Sequence, residues 1–267
     1  MPETAASTEP PTASGANSGV GLSIIIPAYN EAARLPAFLD SVVAWCSKNR
    51  PGTEIIVVDD GSSDGTAATA AREAVRVISH LQNAGKGAAV RTGMLAATGR
   101  MRLFADADGA TTMDELPALE RAIAEGADIA VASREGADKL VQASPLRRFL
   151  GRWFNRAVRM GAVKGIRDTQ CGFKLFGSPA ALELFSIAQE DGFAFDVELL
   201  LIAQRRRLKI AEVFVNWTEM AGSKVSLFRD GWRMLQAVRR IKKRYKRGEY
   251  ERATPKLTPS TEAAATG

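Results

Sequence analysis

The sequence predicts an α/β fold in which a mostly parallel sheet is flanked by helices on both faces. Short runs of Val, Ile, Leu and Phe alternate with helical patterns along much of the chain. These runs are apolar at successive positions, which is typical of parallel strands that are buried on both faces. The chain has 267 residues, of which 46% are hydrophobic and 25% charged, so it can bury a large core. We therefore expect one α/β domain with polar tails.

The predicted elements follow one another in strand-helix order. The predicted strands are the apolar runs 22–26, 54–60, 75–80, 100–108 and 127–133. Helices are predicted near 32–48, 66–74 and 87–98, with a further one that begins at Asp114 and Glu115. The first helix has apolar residues at helical spacing, namely Leu35, Phe38, Leu39, Val42 and Val43. In a sheet of this kind, ligands bind beyond the carboxyl ends of the strands.

The ends of the chain depart from this pattern. Residues 1–20 and 251–267 are rich in small and polar residues with Pro, and we expect both to be disordered. We assign the α/β domain to 21–226 and a basic C-terminal helix to 227–250. No run approaches the roughly 18 apolar residues of a membrane span, and the N terminus lacks the features of a signal peptide. With two cysteines far apart in sequence, these features favour the cytoplasm.

Basic residues are concentrated in two segments, although the net charge of the chain is only +6. Residues 145–164 contain six Lys or Arg and no acid, and residues 229–247 contain nine and only Asp230. Within 145–160 the apolar residues fall on one helical arc and four arginines on the opposite side. This pattern is typical either of a membrane-interface helix or of a core-packed helix with a solvated basic face. Because no nucleic-acid-binding motif is present, we expect an anionic membrane surface as partner and no nucleic acid.

The fourth predicted strand ends in Asp106 and Asp108, which are followed by Gly109. In an extended segment, residues two apart point the same way, so the two carboxylates repel each other unless a cation lies between them. Mg²⁺ is typically held by one or two carboxylates together with substrate phosphates. The alternative is a strand end with two solvated aspartates. His80 is the only histidine, so histidine metal sites and Ser/His or Cys/His nucleophile pairs are nearly excluded.

Two further loops at strand ends are polar. Asp60 is the last residue of the second predicted strand, where a carboxylate can accept from a base N–H or a ribose hydroxyl; alternatively Ser63 or Asp64 caps the next helix. Residues 83–87 place two glycines around Lys86 at a predicted helix start, where backbone N–H groups and one cation can meet an anion. A nucleotide diphosphate explains these loops jointly, since acids bind the base and ribose while a metal and the lysine neutralise the phosphates.

The same segments resemble the family-2 glycosyltransferases with the GT-A fold. Four early segments carry the resemblance: IIIPAYNE (24–31), VVDDGSSDGT (57–66), NAGKGAAVRTGM (83–94) and DADGAT (106–111). It continues through SR (133–134), GIRDTQCGFKLF (165–176), FAFDVELL (193–200) and VNWTEMAGSK (215–224). Within the family, the chain looks most like the dolichyl-phosphate β-glucosyltransferases, and the polyprenyl-phosphate mannose synthases are close relatives of these.

The resemblance implies roles for individual residues of this chain. The residues that would line the base, ribose or phosphates of the nucleotide are Pro27, Tyr29, Glu31, Asp60, Lys86, Asp106, Ser223 and Lys224. Asp106 and Asp108 would also hold Mg²⁺ or Mn²⁺. Arg134 would meet the phosphate of the acceptor, or else it is a surface charge at a strand end. Asp168 and Gln170 would lie near the sugar or the acceptor.

The family likeness also implies the reaction. It is the inverting transfer of glucose from UDP-glucose to a polyprenyl phosphate at the inner face of the cell membrane, with Asp108, Arg134 and Asp196 as catalytic residues. Asp196 or Glu198 would orient the glucose hydroxyls or act as a base, or else they are acids that favour the first turn of a helix. The alternatives are GDP-mannose or another UDP-sugar as donor, a non-lipid acceptor, or a non-catalytic protein that binds sugar nucleotides.

Overall fold

The computed structural model describes residues 19–134, 141–142, 163, 165–218 and 227–252, and it confirms the predicted α/β fold. The first half alternates strands and helices. Its elements are β1 (Leu22–Ala28), α1 (Leu35–Asn49), β2 (Glu54–Asp59), α2 (Thr66–Ala70), β3 (Val75–Ser79), α3 (Lys86–Ala96) and β4 (Met101–Ala105). They are followed by a 3₁₀ turn (Met113–Glu115), α4 (Leu116–Ala124) and β5 (Ile129–Ser133).

The later described elements complete the sheet and cover one face of it. They are β6 (Val141–Gln142), β7 (Phe173–Gly177), α5 (Ser178–Ile187), α6 (Phe195–Arg205), β8 (Ile210–Phe214), β9 (Trp217–Thr218), α7 (Leu227–Lys246) and α8 (Glu249–Arg252). The last helix continues two residues into the tail that the sequence predicts to be disordered from 251.

The second helix is shorter than predicted. It ends at Ala70, whereas the sequence pattern extends to residue 74. Nη1 of Arg72 donates to the carbonyl of Thr69 at 2.6 Å, which caps the end of the helix. The backbone at Arg72 then pairs with Val75, so the chain already turns towards β3.

The seven-stranded sheet has the order β3-β2-β1-β4-β7-β5-β8. β1 is parallel to both of its neighbours, β2 and β4, and β5 is parallel to β8. β7 is inserted between β4 and β5 and runs antiparallel to both. β6 and β9 form a separate parallel pair. The carboxyl ends of β1, β2, β4 and β5 therefore lie at one edge of the sheet, where a ligand site is expected.

Both faces of the sheet are buried, which explains the continuous apolar runs. In β1, Ile24 and Ile26 pack in one core together with α1, and Ile25 packs in the other core together with α3. Successive residues of a strand point to opposite faces, so a strand covered on both sides must be apolar at every position.

The basic helix α7 packs against the second of these cores through Ala237, Val238 and Ile241, which are all buried. Its opposite face exposes a basic set that comprises Arg239, Lys242, Lys243 and Lys246. Within the described ranges, every helix is too short or too polar to cross a membrane. The predicted interface helix at 145–160 lies outside the described residues.

Candidate active site

The turn after β4 places Asp106 and Asp108 at the carboxyl edge of the sheet. The sequence predicts an extended strand through both residues, but β4 ends at Ala105 and the two aspartates lie in and beside a turn. The backbone N–H of Asp106 donates to the carbonyl of Gly172 at 2.9 Å, and Gly109 has a φ of +69°. This left-handed backbone conformation favours glycine and redirects the chain after Asp108.

The two carboxylates interact and suit a divalent cation. Burial raises the pKa of Asp108, and the charge of Asp106 raises it further. Oδ1 of Asp108 accepts the backbone N–H of Ala110 at 3.0 Å, whereas Oδ1 of Asp106 is buried without a hydrogen bond. The described part of the chain contains no group of three His, Cys, Asp or Glu that could hold a metal alone. Two carboxylates fit Mg²⁺ or Mn²⁺ if a bound phosphate supplies further ligands.

Gly172 lies directly against Asp106. A Cβ atom at position 172 would be 2.0 Å from Oδ2 of Asp106, so no side chain fits there without displacing the carboxylate. The position of Asp106 therefore depends on a glycine that precedes β7, far away in sequence.

Lys86, at the start of α3, lies beside the same carboxylate. Its Nζ is 2.7 Å from Oδ1 of Asp106, as an ion pair without hydrogen-bond angles, and 5.3 Å from the centre of the Phe104 ring. Burial lowers the pKa of Lys86, but the charges of Asp106, Asp196 and Asp108 outweigh burial and raise it. The structure thus joins Lys86 to the two aspartates.

The backbone around Lys86 differs from the predicted anion cradle. The N–H groups of Gly87 and Ala88 donate to the carbonyl of Asp191 at 2.7 and 3.2 Å. A Cβ atom at Gly85 or Gly87 would lie 2.4 Å from a backbone carbonyl oxygen of the loop at 190–191. These glycines therefore allow two loops to touch, and their N–H groups are already used. This corrects the prediction: the side chain of Lys86 reaches the site, but the backbone beside it holds a loop.

Asp60 also differs from its predicted role. Its carboxylate is buried and lies 2.7 Å from Nδ1 of His80, and it accepts from the side chain of Asn83 at 2.9 Å. It also accepts the backbone N–H groups of Ala84 and Gly85 at 2.9 and 2.8 Å. A carboxylate with so many partners is not open to a base or ribose, so the structure does not support that contact. Asp60 instead shapes the loop that carries Lys86, and the sequence analysis missed its partner His80.

The three residues predicted to line the base lie at the end of β1. Pro27 is buried within the strand, whereas Tyr29, just beyond it, is 45% exposed. The carboxylate of Glu31 accepts from Nε and Nη2 of Arg34, at 2.7 and 2.5 Å. This hydrogen bonding raises the pKa of Arg34, and the charge of Asp108 adds to the effect. Arg34 therefore lies near Asp108, and the sequence analysis did not single it out.

Arg134 and Asp168 form a bidentate ion pair. Nε and Nη2 of Arg134 donate to the carboxylate at 2.6 and 2.9 Å, and the guanidinium lies 5.3 Å from the centre of the Trp217 ring. Burial alone would raise the pKa of Asp168, but Arg134 outweighs burial and holds it below the ordinary value. The backbone N–H of Gln170 donates to the same carboxylate at 3.3 Å. The Arg134 side chain is 30% exposed, so a ligand can approach its remaining N–H groups.

Asp196 lies in the first turn of α6 and pairs with a lysine that the sequence analysis missed. Its Oδ1 is 2.7 Å from Nζ of Lys174, and both side chains are almost completely buried. Burial raises the pKa of Asp196, while the charges of Lys174 and Lys86 partly offset this effect. Oδ1 of Asp196 has no hydrogen bond. An acid in the first turn of a helix stabilises the helix without being buried, so the burial of Asp196 beside two lysines indicates a further role.

Glu198, two residues later on α6, belongs to a different part of the structure. Its Oε2 accepts the backbone N–H groups of Gln189 and Glu190 at 2.9 and 2.7 Å. Its Oε1 accepts the hydroxyl of Tyr250 at 2.6 Å. This C-terminal cluster, which fastens α7 and α8 to the loop before α6, comprises Glu190, Glu198, Arg240, Arg244 and Tyr250. The structure therefore does not support the predicted role of Glu198 at the sugar.

Asp106 connects the remaining charged residues of the site. Its negative charge raises the pKa of Lys86, Asp108, Arg134 and Asp196, so all four lie within its electrostatic range. We call these residues and their ion-pair partners the site cluster, which comprises Lys86, Asp106, Asp108, Arg134, Asp168, Lys174 and Asp196. The predicted phosphate contacts Ser223 and Lys224 lie outside the described residues.

Solved structures of two sugar transferases resemble this fold. Mannosyl-3-phosphoglycerate synthase from Rubrobacter xylanophilus superimposes with a TM-score of 0.67 at 21% identity, over 91% of this chain and 79% of that one. Glucosyl-3-phosphoglycerate synthase from Mycobacterium tuberculosis, in complex with Mn²⁺, UDP and glucosyl-3-phosphoglycerate, gives 0.64 at 21% identity, over 84% and 80%. These similarities confirm the predicted GT-A fold.

Sequence comparison identifies the family. Residues 23–181 match the model of Glycosyl transferase family 2. The dolichyl-phosphate beta-glucosyltransferase of Drosophila melanogaster is 44% identical, over 82% of this chain and 72% of that protein. The enzymes of that name from Homo sapiens and Saccharomyces cerevisiae are 42% and 35% identical, over 80% and 86% of this chain and 72% and 76% of theirs. The chain therefore belongs to glycosyl transferase family 2, in the group of the dolichyl-phosphate beta-glucosyltransferases.

Proposed function

We propose that this protein transfers glucose from UDP-glucose to a polyprenyl phosphate and inverts the configuration at the sugar C1 to give a β-linked product. The observation that carries this proposal is the position of Asp106 among two lysines, an arginine and two further carboxylates at one edge of the sheet. The phosphates of donor and acceptor require positive charges, and the divalent cation that accompanies the diphosphate requires carboxylates. The names of the relatives support glucose and a dolichyl phosphate as the two substrates.

On the donor side, Asp106 and Asp108 would hold a divalent cation, which would offset the charge of the diphosphate. A bound Mg²⁺ or Mn²⁺ supplies Lewis acidity to the leaving UDP, and the Mn²⁺ in the complex of the Mycobacterium tuberculosis neighbour supports such a cofactor. Lys86 adds a positive charge beside Asp106 and balances the negative charge of the nucleotide. Tyr29 and Glu31 line the base from the end of β1, and the family resemblance assigns Ser223 and Lys224, which lie outside the described residues, to the phosphates.

On the acceptor side, Arg134 holds the attacking phosphate. Asp168 fixes the plane of the guanidinium and leaves other N–H groups for the ligand. An oxygen of the polyprenyl phosphate attacks C1 from the face opposite UDP, so a new C1–O bond forms while the bond to UDP breaks. A phosphate monoester has a second pKa of about 6 and is already anionic at neutral pH. Positioning and charge compensation therefore matter more than a general base.

Asp196 serves the sugar in this arrangement. A carboxylate has about four acceptor sites, so Asp196 can accept from a glucose hydroxyl while its Oδ1 stays beside the ammonium group of Lys174. Because the acceptor needs little deprotonation, we assign Asp196 to the orientation of glucose rather than to proton transfer. Asp168 pairs with Arg134, and the backbone N–H of Gln170 donates to Asp168, so we assign both residues to the acceptor side.

We also infer that the enzyme works as a peripheral protein on the inner face of the cell membrane. The exposed basic face of α7 supports this, since each Lys or Arg near an anionic leaflet contributes about 1 kcal/mol. Replacing Lys242 and Lys243 with Gln should weaken binding to vesicles that contain an anionic lipid by about thirtyfold. Exchanging the exposed Lys48 and Lys209 for Gln removes the same charge elsewhere and should change binding much less. Equal losses in the two double variants would contradict the assignment.

The function is tested with purified protein, short-chain polyprenyl phosphate, Mg²⁺ or Mn²⁺, and a panel of UDP- and GDP-sugars. We expect a lipid-linked glucose from UDP-glucose, and a loss of at least about a hundredfold for Asp108→Asn. Asp40→Asn, a change of the same kind at an exposed residue of α1, serves as the matched control. Faster transfer from GDP-mannose would replace glucose with mannose in the proposal, and no transfer from any donor would refute it.

A further inference from the structure

Lys174 is unusual because it lies in an inner strand of the sheet and is 1% exposed. It belongs to β7, where it pairs with Phe104 of β4 on one side and Val131 of β5 on the other. Lysine is almost never completely buried unless an opposite charge accompanies it. Its ammonium group lies 2.7 Å from Oδ1 of Asp196 and donates to the carbonyl of Cys171 at 2.5 Å.

Stability alone does not explain this pair. Two charges lose their hydration when they are buried, and well-packed apolar residues in their place are often equally or more stabilising. Apolar neighbours on the same face of the sheet would accommodate such residues, since Phe104, Val131 and Phe176 are all buried there. A buried pair retained there points to a use for the carboxylate that an apolar residue could not serve.

The position of the pair indicates that use. Both lysines of the site cluster lie beside the Phe104 ring, with Nζ of Lys174 5.7 Å and Nζ of Lys86 5.3 Å from its centre. Each ammonium group is 2.7 Å from one carboxylate, Lys86 from Asp106 and Lys174 from Asp196. The two lysines therefore hold two carboxylates around one ring.

We propose that Lys174 is a positioning residue, which holds the carboxylate of Asp196 against the glucose of the donor and supplies its counter-charge. This inference rests on the proposed function, because that function assigns Asp196 to the sugar. Lys174 itself does not touch the substrate. Its effect on the reaction passes through Asp196, so loss of the lysine and loss of the carboxylate should have the same functional consequence.

The experiment compares the Lys174→Met, Asp196→Asn and K174M/D196N variants of the full chain, with Lys209→Met as a surface control. The affinities for UDP-glucose and for UDP are measured by calorimetry with Mn²⁺ present. We expect all three variants to bind UDP as the parent protein does and to lose about tenfold in the ratio of UDP-glucose affinity to UDP affinity. The double variant should lose no more than Asp196→Asn alone, because both changes remove the same interaction.

Thermal unfolding separates positioning from a structural role. Lys174→Met leaves Asp196 buried without its counter-charge and should lower Tm, whereas K174M/D196N removes both charges and should recover much of the loss. If Lys174→Met does not fold, the double variant still reports the affinity ratio. An unchanged ratio in a folded variant, or recovery of the ratio together with Tm, would overturn the proposal. The binding measurement needs no acceptor, so a parent protein that fails to glucosylate the lipid would refute the proposed function without affecting this result.

Discussion

The site cluster and the C-terminal cluster both bury charged side chains around the first turn of α6, but their carboxylates have different partners. Both oxygens of Glu198 accept hydrogen bonds from the backbone or from Tyr250. In the site cluster, Oδ1 of Asp106 and Oδ1 of Asp196 each lie 2.7 Å from a lysine ammonium group instead. These two carboxylates of the site cluster therefore have charged partners, whereas the hydrogen-bond partners of Glu198 are uncharged.

The charged partner of Glu198 is more distant. Nη1 of Arg244 lies 3.6 Å from Glu198 and 3.7 Å from Glu190. Under the proposed function, the site cluster binds the substrates and the C-terminal cluster attaches the C-terminal helices, although Asp196 and Glu198 are only two residues apart.

The largest expected effect comes from the packing of Gly172 against Asp106. Gly172→Ala should lower glucosyl transfer by about a hundredfold or more, because the new methyl group displaces a carboxylate that must be placed within about 1 Å. Transfer from UDP-glucose and the apparent affinity for Mn²⁺ are the measurements. Gly177→Ala, at the end of β7, has 3.6 Å to its nearest neighbouring atom and is the matched control. Equal activity in the two variants would show that the position of Asp106 is not critical.

The C-terminal cluster should respond in stability rather than in activity. Tyr250→Phe removes the hydroxyl that donates to Oε1 of Glu198, so the free energy of unfolding should fall by about 1–3 kcal/mol. Activity per folded molecule should change less than about threefold, since the contact lies outside the site cluster. Urea unfolding and the transfer assay measure the two quantities. Tyr245→Phe is the control on α7, because its ring remains stacked on Arg205. A large loss of activity in Tyr250→Phe would contradict the separation and show that the two clusters function together.

Much of the fold could be predicted from the sequence because its signals are local. Apolar runs identify β1 to β5, and the acidic strand ends place Asp106 and Asp108 at the carboxyl edge of the sheet, although the turn that carries them was predicted as strand. The antiparallel insertion of β7 could not be predicted in this way, because it depends on pairing between residues far apart in sequence. Lys174 could not be predicted for the same reason, because the role of a lysine within an apolar run depends on its partner Asp196, which is distant in sequence.

The roles of individual carboxylates were the least predictable feature. Asp60, Asp196 and Glu198 each occur at a strand end or in a helix first turn, and sequence patterns alone do not separate them. Their partners in space do. Asp60 and Glu198 accept enough hydrogen bonds to be structural, whereas the close contact of the Asp196 carboxylate is an ion pair with a lysine. Three-dimensional hydrogen-bond satisfaction therefore distinguishes them where residue type cannot.

The smallest expected effects are in the pH dependence of stability, which should have opposite signs at Asp168 and Glu198. Arg134 holds the pKa of Asp168 below its ordinary value, so this carboxylate contributes stability above the unfolded-state value of about 3.9 and loses it as the pH falls further. Burial raises the pKa of Glu198, and its hydrogen bonds offset this effect only in part. The contribution of Glu198 is therefore complete below about pH 4.3 and is lost as the pH rises through the higher folded-state value.

Urea unfolding of the parent protein, Asp168→Asn and Glu198→Gln between pH 3 and 8 measures this contrast. The difference between Asp168→Asn and the parent protein should shrink below about pH 3.9, because acid removes the same ionised carboxylate that the substitution removes. The difference for Glu198→Gln should instead change above about pH 4.3, in the direction that favours the variant as the pH rises. Curves that change in the same direction would mean that the two buried acids are held alike. Opposite changes would show that the fold stabilises the ionised form of Asp168 and the protonated form of Glu198.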